Sequence, residues 1–183
     1  MNVRNRSLGR LARVAALNQI LSGERLIKKI LALFSSHVLA LAIGFGAGVY
    51  FLPILTAGGG PSATELAQAA GKAKYTAIFK KDLPGSDFLH WAQGTVAVSE
   101  STIAFEGKIA PGPDYKVYLT SGYVGSKEEF LKIKERALRV GEVKTFERFI
   151  VDMSQQPVDL SRYNTVVIWC ETYSQFISAA QFR

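Results

Sequence analysis

The sequence predicts a mainly β domain, a β-sandwich or flattened barrel with one short helix, preceded by a single transmembrane helix. Three observations support this fold class. Short runs rich in β-branched and aromatic residues, separated by Gly, Pro, Asp and Ser, fill the C-terminal part of the chain. One segment among them has helical spacing, and an uncharged run precedes them all. Many short strands close their edges most readily as a sandwich or barrel.

The uncharged run from Val38 to Ala57 is long enough to cross a membrane. Its twenty residues, at about 1.5 Å per helical residue, reach roughly 30 Å, which is the thickness of the hydrocarbon core. Its glycines and Pro53 would be costly in a soluble helix, whereas membrane spans tolerate them. A cleavable signal peptide is the alternative. It fits less well, because the run exceeds the usual apolar core of about 7–15 residues.

The distribution of charge predicts the orientation of this span. The chain has a net charge of +7, of which residues 1–36 carry +6 and residues 37–183 carry +1. By the positive-inside rule, we expect a cytoplasmic N-terminus and an extracytoplasmic, periplasmic β domain held at the inner membrane. The domain itself is nearly neutral, which gives no basis for nucleic-acid binding.

The expected organisation has four parts: a basic cytoplasmic arm (1–37), the transmembrane helix (38–57), a linker (58–71) and the β domain (72–183). The arm either lies on the anionic leaflet or only enforces topology. Its apolar residues at helical spacing are Leu8, Leu11, Ala12, Ala15, Leu26, Ile27, Ile30 and Leu31. Within the span, Ala40, Gly44 and Gly48 form a stripe of small residues that predicts a homodimer contact.

The elements of the β domain follow from local patterns. The linker is expected to contain a short helix over Thr64–Ala70. In "SKEEFLKIKERAL", Ser126 and Glu129 are spaced as a capping box, and Phe130, Ile133 and Leu138 are spaced as one helical face. The predicted strands are Tyr75–Lys80, Leu89–Ser99, Thr102–Glu106, Tyr115–Thr120, Phe146–Val151 and Thr165–Glu171.

Known catalytic motifs are absent from the sequence. It contains no GxGxxG, no P-loop and no HExxH, and "GFGAG" lies within the apolar span. His37 and His90 are the only histidines, which excludes a multi-histidine metal site, and no serine-protease triad is indicated. We therefore do not expect an enzyme that acts alone, although tertiary proximity assembles some sites that spacing does not reveal.

Cys170 is the only cysteine, and four roles remain open for it. It is a buried structural thiol, a reactive thiol, a haem or metal ligand, or one half of an intermolecular disulfide. Outside the cytoplasm an unpaired cysteine is notable, because that compartment favours disulfides. Alternation on a strand places Val166 and Ile168 beside Cys170, and Val167 and Trp169 on the opposite face.

The sequence neighbours of Cys170 do not favour a thiolate. Apolar residues share its face, and Glu171 follows it directly with a negative charge. A reactive role therefore needs help from residues distant in sequence. His90, in "DFLHWAQGTV", is the only imidazole expected on the same side of the membrane, and it is the candidate partner of Cys170.

The C-terminal run "DLSRYNTVVIWCETYSQFISAAQFR", with "HWAQGTVAV" and "APGPDYKVYL" before it, resembles the DM13 domain family. The similarity spans about 110 residues, and "VIWCE" is its most specific part. The resemblance implies a small β-rich extracytoplasmic domain, found in animal cell-surface proteins and in membrane-anchored bacterial proteins. It also implies a role in electron transfer or oxidative modification, with Cys170 as a thiol or as a ligand to a group such as haem.

The sequence thus predicts a membrane-anchored redox accessory with Cys170 as its electron-transfer thiol or haem ligand. Its expected partners are the lipid bilayer and a redox or cell-envelope protein. The alternative is a binding or scaffolding domain in which loops such as "EGKIAPGPDYK" hold a partner and Cys170 only packs. The burial of Cys170 distinguishes these two hypotheses. A fully enclosed Cys170 without a nearby cation or imidazole favours the scaffolding domain.

Overall fold

The structure is a computed structural model that describes the backbone of residues 4–155 and 157–183 and the side chains of residues 23–155 and 157–183. The chain forms two compact units, Met1–Ala47 and Gly48–Arg183. The part of the predicted amphipathic face formed by Leu8, Leu11, Ala12 and Ala15 lies outside the described side chains.

The N-terminal part is one continuous α-helix, α1 (Arg4–Thr56). Within it, Gly23–Thr56 is long and apolar enough to cross a membrane, with a mean hydropathy of 2.2 in its most apolar window and none of that window buried. By length and composition, this segment is a membrane anchor or a signal sequence. Gly44 and Gly48 have no neighbouring atoms within 4 Å of an added Cβ, so pairing through their stripe stays a prediction.

The remainder is a sandwich of two four-stranded antiparallel sheets, which confirms the predicted fold class. The sheet orders are β1-β2-β3-β6 and β5-β4-β7-β8. The strands are β1 (Tyr75–Phe79), β2 (Ala92–Val98), β3 (Thr102–Ile109), β4 (Tyr115–Thr120), β5 (Leu138–Glu142), β6 (Arg148–Asp152), β7 (Thr165–Cys170) and β8 (Gln175–Gln181).

Three apolar layers hold the sandwich together. The main core lies between the sheets and contains Val166, Ile168 and Cys170 of β7. An outer core on the other face of β7 contains Val167 and Trp169, packed under helix α3 (Lys127–Leu131). The third layer lies under helix α2 (Ala63–Gly71). Strand β7 is buried along its whole length on both faces, as its continuous apolar run predicts.

The short linker helix forms as predicted, with slightly wider bounds. The Ser62 hydroxyl accepts a hydrogen bond from the Glu65 N–H, and the Glu65 carboxylate accepts one from the Ser62 N–H. This reciprocal capping box starts α2. Leu66 of the helix is buried against Ala97 and Ala104, so α2 packs on the outer face of the first sheet.

The second predicted helix is shorter than its pattern indicates. Helix α3 ends at Leu131, a single 3-10 turn follows, and Leu138 begins strand β5. Phe130 and Ile133 pack in the outer core as expected, whereas Leu138 packs against the core between the sheets. Tertiary packing and pairing with β4 therefore override the helical spacing. Strand β8 was not predicted, because small and polar residues interrupt its apolar pattern.

Candidate functional site

Cys170 is the last residue of β7, and its side chain is buried in the main core. The residue is only 2% exposed, and it is the register partner of Tyr115 on β4 and of Gln175 on β8. The turn between β7 and β8 follows directly, and Ser174 in this turn adopts a left-handed backbone with φ of 48°. The Glu171 N–H donates to the Asp114 carbonyl over 3.0 Å, which joins the turn to the loop before β4.

The environment of the Cys170 sulfur acts on its pKa in opposite directions. Burial raises the pKa of the thiol and is the largest influence. Backbone hydrogen bonds from Tyr173, Asp114 and Thr172 to the sulfur oppose it, because they stabilise a thiolate, while the Asp114 carboxylate raises the pKa further. The net shift is upward, so the resting thiol is protonated at neutral pH.

The carboxylate that acts on the thiol differs from the one that the sequence predicts. The sequence indicated Glu171, but Asp114 is the carboxylate that raises the Cys170 pKa. Glu171 instead binds the side chains of Tyr118 and Lys134, of which Tyr118 belongs to the outer core.

Tyr115 is the buried polar neighbour of the thiol. It is 3% exposed, and burial, followed by the charge of Cys170, raises the pKa of its phenol. Its ring packs against Gly112, where an added Cβ would lie 2.2 Å from the phenolic oxygen, so glycine is needed for this approach. Cys170 and Tyr115 therefore form a protonated pair inside the main core.

His90 has another partner in the structure. It lies in the loop before β2, and its Nδ1 contacts Asp87 Oδ2 over 2.8 Å. The same aspartate accepts hydrogen bonds from the backbone N–H groups of Leu89 and His90. No hydrogen bond joins His90 to Cys170 among the described residues. The local contacts explain His90 as part of a loop fold, and its role as partner of the thiol stays a prediction.

A second polar cluster lies on the outer side of β7. The Glu171 carboxylate accepts hydrogen bonds from the Tyr118 hydroxyl and from Lys134 Nζ, the latter over 2.5 Å. Lys134 Nζ also lies 5.1 Å from the centre of the Trp169 ring, a cation–π distance. The Trp169 Nε1 is near Glu171 but does not meet hydrogen-bond geometry. These contacts attach the chain after α3 to the end of β7.

The Glu171 cluster predicts an acid-dependent loss of stability. Burial raises the pKa of Glu171, but hydrogen bonds from Lys134 and Tyr118 outweigh it, so the folded-state pKa is lowered. A lowered pKa contributes stability above the unfolded value of about 4.3, and this contribution is lost as the pH falls through the folded value. Glu171→Gln should therefore lower the urea midpoint at neutral pH and reduce its decline between about pH 5 and pH 3.

The matched control for this measurement is Glu128→Gln on α3, whose carboxylate is exposed and makes no ion pair among the described residues. It should leave both the midpoint and its pH dependence unchanged. An equal decline in the wild type and in Glu171→Gln would show that the ion pair does not contribute.

A haem group does not fit the surroundings of Cys170. Ligation needs open space beside the sulfur for the macrocycle, whereas this side chain is 2% exposed and packed in the main core. Cavities of about 520 Å³ beside Trp91 and about 400 Å³ beside Gly141 are both lined by other residues. Among the described residues, no three His, Cys, Asp or Glu side chains are grouped to hold a metal ion.

Sequence reasoning located Cys170 but missed most of what surrounds it. Tyr115, Tyr118 and Lys134 are 55, 52 and 36 residues away from it in the chain. Only the pairing of β4 with β7 and the position of the segment after α3 bring them close. The backbone groups that lower the pKa of the thiol leave no pattern in the side chains of the sequence.

These features define a class: an antiparallel β-sandwich domain with one enclosed thiol at the end of its central strand, preceded in the chain by a long apolar helix. The sequence model of the DM13 family, described as Electron transfer DM13, matches residues 85–182, more than half of the chain. The chain therefore belongs to the DM13 family. The match includes β2 to β8 and Cys170. Comparisons with curated proteins and with solved structures gave no match.

Proposed function

We propose that this protein is a single-pass, membrane-anchored electron-transfer accessory whose redox group is the thiol of Cys170. Helix α1 serves as the anchor, with its basic end in the cytoplasm and the sandwich domain on the extracytoplasmic side. The family description supports electron transfer, and the excess of Lys and Arg before the apolar run supports this orientation.

One observation carries the assignment to Cys170: the only cysteine of the chain lies inside the region that the electron-transfer family model matches. Backbone groups of Asp114, Thr172 and Tyr173 also lower the pKa of this thiol against the effect of burial. Backbone hydrogen bonds of this kind stabilise negative charge at a thiolate. A purely apolar core position would need none of them. Thr172 and Tyr173 belong to the turn after β7, which also contains the left-handed Ser174.

The proposed chemistry is thiol–disulfide exchange with a partner protein. When the turn opens, the Cys170 thiol loses its proton to water, and the thiolate attacks a disulfide of the partner. A bond forms between the Cys170 sulfur and one partner sulfur, the partner disulfide breaks, and the second partner sulfur leaves as a thiolate that takes up a proton. Because the chain has no other cysteine, a thiol of a second protein must attack the partner sulfur of this mixed disulfide. That attack frees the Cys170 thiol, passes the disulfide bond on, and moves electrons from the second protein to the partner.

A non-catalytic binding domain is the second candidate, and the burial of Cys170 favours it. A thiol that is 2% exposed and whose pKa is raised fills the core as any small apolar residue would. In that case the loops bind a partner, and the sulfur never reacts in the folded domain.

The labelling rate of Cys170 separates the two candidates. We would treat the full-length chain in detergent with an aromatic disulfide reagent and measure release of the chromophore, with Cys170→Ser as the blank. If the turn opens locally, the rate does not depend on global stability. The control is Ile103→Val, a buried change in the other sheet that destabilises by about 0.5–1.5 kcal/mol.

For a functional thiol, the wild type and Ile103→Val should react at equal rates, and a Cys170-dependent adduct should appear on non-reducing gels of whole cells. If labelling requires global unfolding, Ile103→Val should react roughly 2- to 12-fold faster. That outcome, together with no adduct in cells, would favour the binding domain.

The orientation of the chain has its own test. The exposed position Lys144 is changed by Lys144→Cys in the Cys170→Ser chain, and this thiol should react with a membrane-impermeant maleimide on intact cells if the domain is extracytoplasmic.

A further inference from the structure

We propose that the cavity beside Trp91 binds the phosphate headgroup of an anionic phospholipid in the membrane that α1 crosses. This inference rests on the proposed anchoring. Membrane-proximal residues of the chain and two basic side chains line the same cavity, and together they define a phosphodiester site at the bilayer surface.

The cavity has a volume of about 520 Å³. Trp91, Ile109 and Phe146 supply apolar and aromatic wall, while Lys108 and Arg148 supply positive charge. Thr145 adds a hydroxyl that donates to the Arg148 carbonyl and fixes the loop between β5 and β6. A partly apolar wall with a few convergent polar groups is the usual composition of a small-ligand site.

The charge of the cavity complements a single phosphodiester. Among the described residues, neither Lys108 nor Arg148 takes part in an ion pair. Glu147 also lines the cavity, which leaves a net charge of +1. Lys81 adds a further cation close by, since its Nζ lies 4.3 Å from the centre of the Trp91 ring. Phosphatidylglycerol carries one negative charge and matches this cavity, whereas a zwitterionic headgroup has a net charge of zero.

The position of the cavity along the chain identifies the bilayer as the source of the phosphate. Ile54 and Ala57, at the end of the apolar run, line the cavity together with Gly58 and Gly60. Gly60 packs closely, because an added Cβ would lie 3.1 Å from the Arg148 carbonyl oxygen and 3.2 Å from Thr145 Oγ1. Three residues reach at most about 11 Å beyond Ala57, so Gly60 is expected within or just beyond a headgroup layer about 5–8 Å thick.

Trp91 and the loop before it carry side chains that are typical of a membrane interface. Trp is enriched at headgroup depth, where its ring lies among the lipid headgroups and a nearby Lys or Arg extends its charge into water. The loop that ends at Trp91 exposes Phe88 and Leu89, which are 84% and 43% exposed. Apolar side chains this exposed are unfavourable in water and favourable in an interface.

The test uses the full-length chain, delipidated in detergent and then offered phosphatidylglycerol or phosphatidylcholine, with retained lipid measured by native mass spectrometry. We expect retention of phosphatidylglycerol, weakened roughly 10- to 30-fold in the variant Lys108→Gln/Arg148→Gln. The control variant Lys132→Gln/Arg136→Gln removes one exposed lysine and one exposed arginine outside the cavity, and it should retain the lipid as the wild type does.

Fluorescence in nanodiscs gives an independent readout. The chain has two tryptophans, and Trp169 is fully buried, so quenching by a lipid with a nitroxide headgroup reports on Trp91. Quenching in the wild type supports the site. Equal lipid retention by the wild type and the cavity variant would overturn it, as would full displacement of the lipid by inorganic phosphate.

Alkaline carbonate extraction of cell membranes separates the two hypotheses. Release of the chain would overturn the anchor and this site together. A chain that resists extraction but shows neither headgroup quenching nor selective lipid retention would overturn the lipid site alone.

Discussion

Replacing Trp169 with alanine is expected to destabilise the sandwich domain by about 3–5 kcal/mol. Trp169 is fully buried in the outer core, where its ring centre lies 5.0 Å from that of Phe130. Truncation removes the contact with α3 and the surface on which Lys134 rests. The measurement is urea denaturation of the full-length chain in detergent, followed by far-UV circular dichroism.

Two control variants calibrate the effect of Trp169→Ala on stability. Trp169→Phe keeps one aromatic ring in the site and loses the rest of the indole, including an Nε1 that has no hydrogen-bond partner, so it should cost less than half as much. Phe88→Ala truncates a ring that is 84% exposed and should change the free energy of unfolding by no more than about 0.5 kcal/mol. A loss below about 2 kcal/mol for Trp169→Ala would show that the outer core does not hold α3 to the sheet.

Gly94→Ala is the second substitution with a large expected effect, a loss of about 2–6 kcal/mol. Gly94 on β2 and Gly107 on β3 are directly opposite each other. The Gly94 φ of 150° disfavours any side chain, at a cost of about 1–3 kcal/mol. An added Cβ would also lie 2.3 Å from the Glu106 carbonyl oxygen, which forces the strands apart and adds about 1–3 kcal/mol.

The same substitution elsewhere in the domain provides the control for Gly94. Gly122 lies in the loop after β4, and an added Cβ there meets no atom within 4 Å. Gly122→Ala should therefore leave the urea midpoint nearly unchanged, within about 0.5 kcal/mol. Equal stabilities of Gly94→Ala and Gly122→Ala would contradict the close approach of β2 and β3.

Periodicity predicted the central strands well because burial on both faces produces a continuous apolar run. β4 was predicted at its observed bounds, and β7 within one residue. The opposite faces of Cys170 and Trp169 also followed from alternation alone, and the two cores confirm them.

Prediction failed where packing between distant segments decides the backbone. Leu138 has helical spacing with Phe130, but it belongs to a strand because β5 pairs with β4. Strand β8 has small residues at positions paired with β7, and its own sequence shows little apolar alternation. In both cases the neighbouring strand supplies the reason for the conformation.

The apolar pattern and the motifs were enough to predict the long helix, the β-rich domain, the family and the position of the one thiol. These follow from local composition and from period, which a single segment displays without its neighbours. The surroundings of the thiol depend instead on the folded arrangement, which brings in Tyr115, the backbone of two loops and the Asp114 carboxylate. Those groups come together through strand pairing across more than fifty residues, and backbone hydrogen bonds leave no trace in side-chain identity.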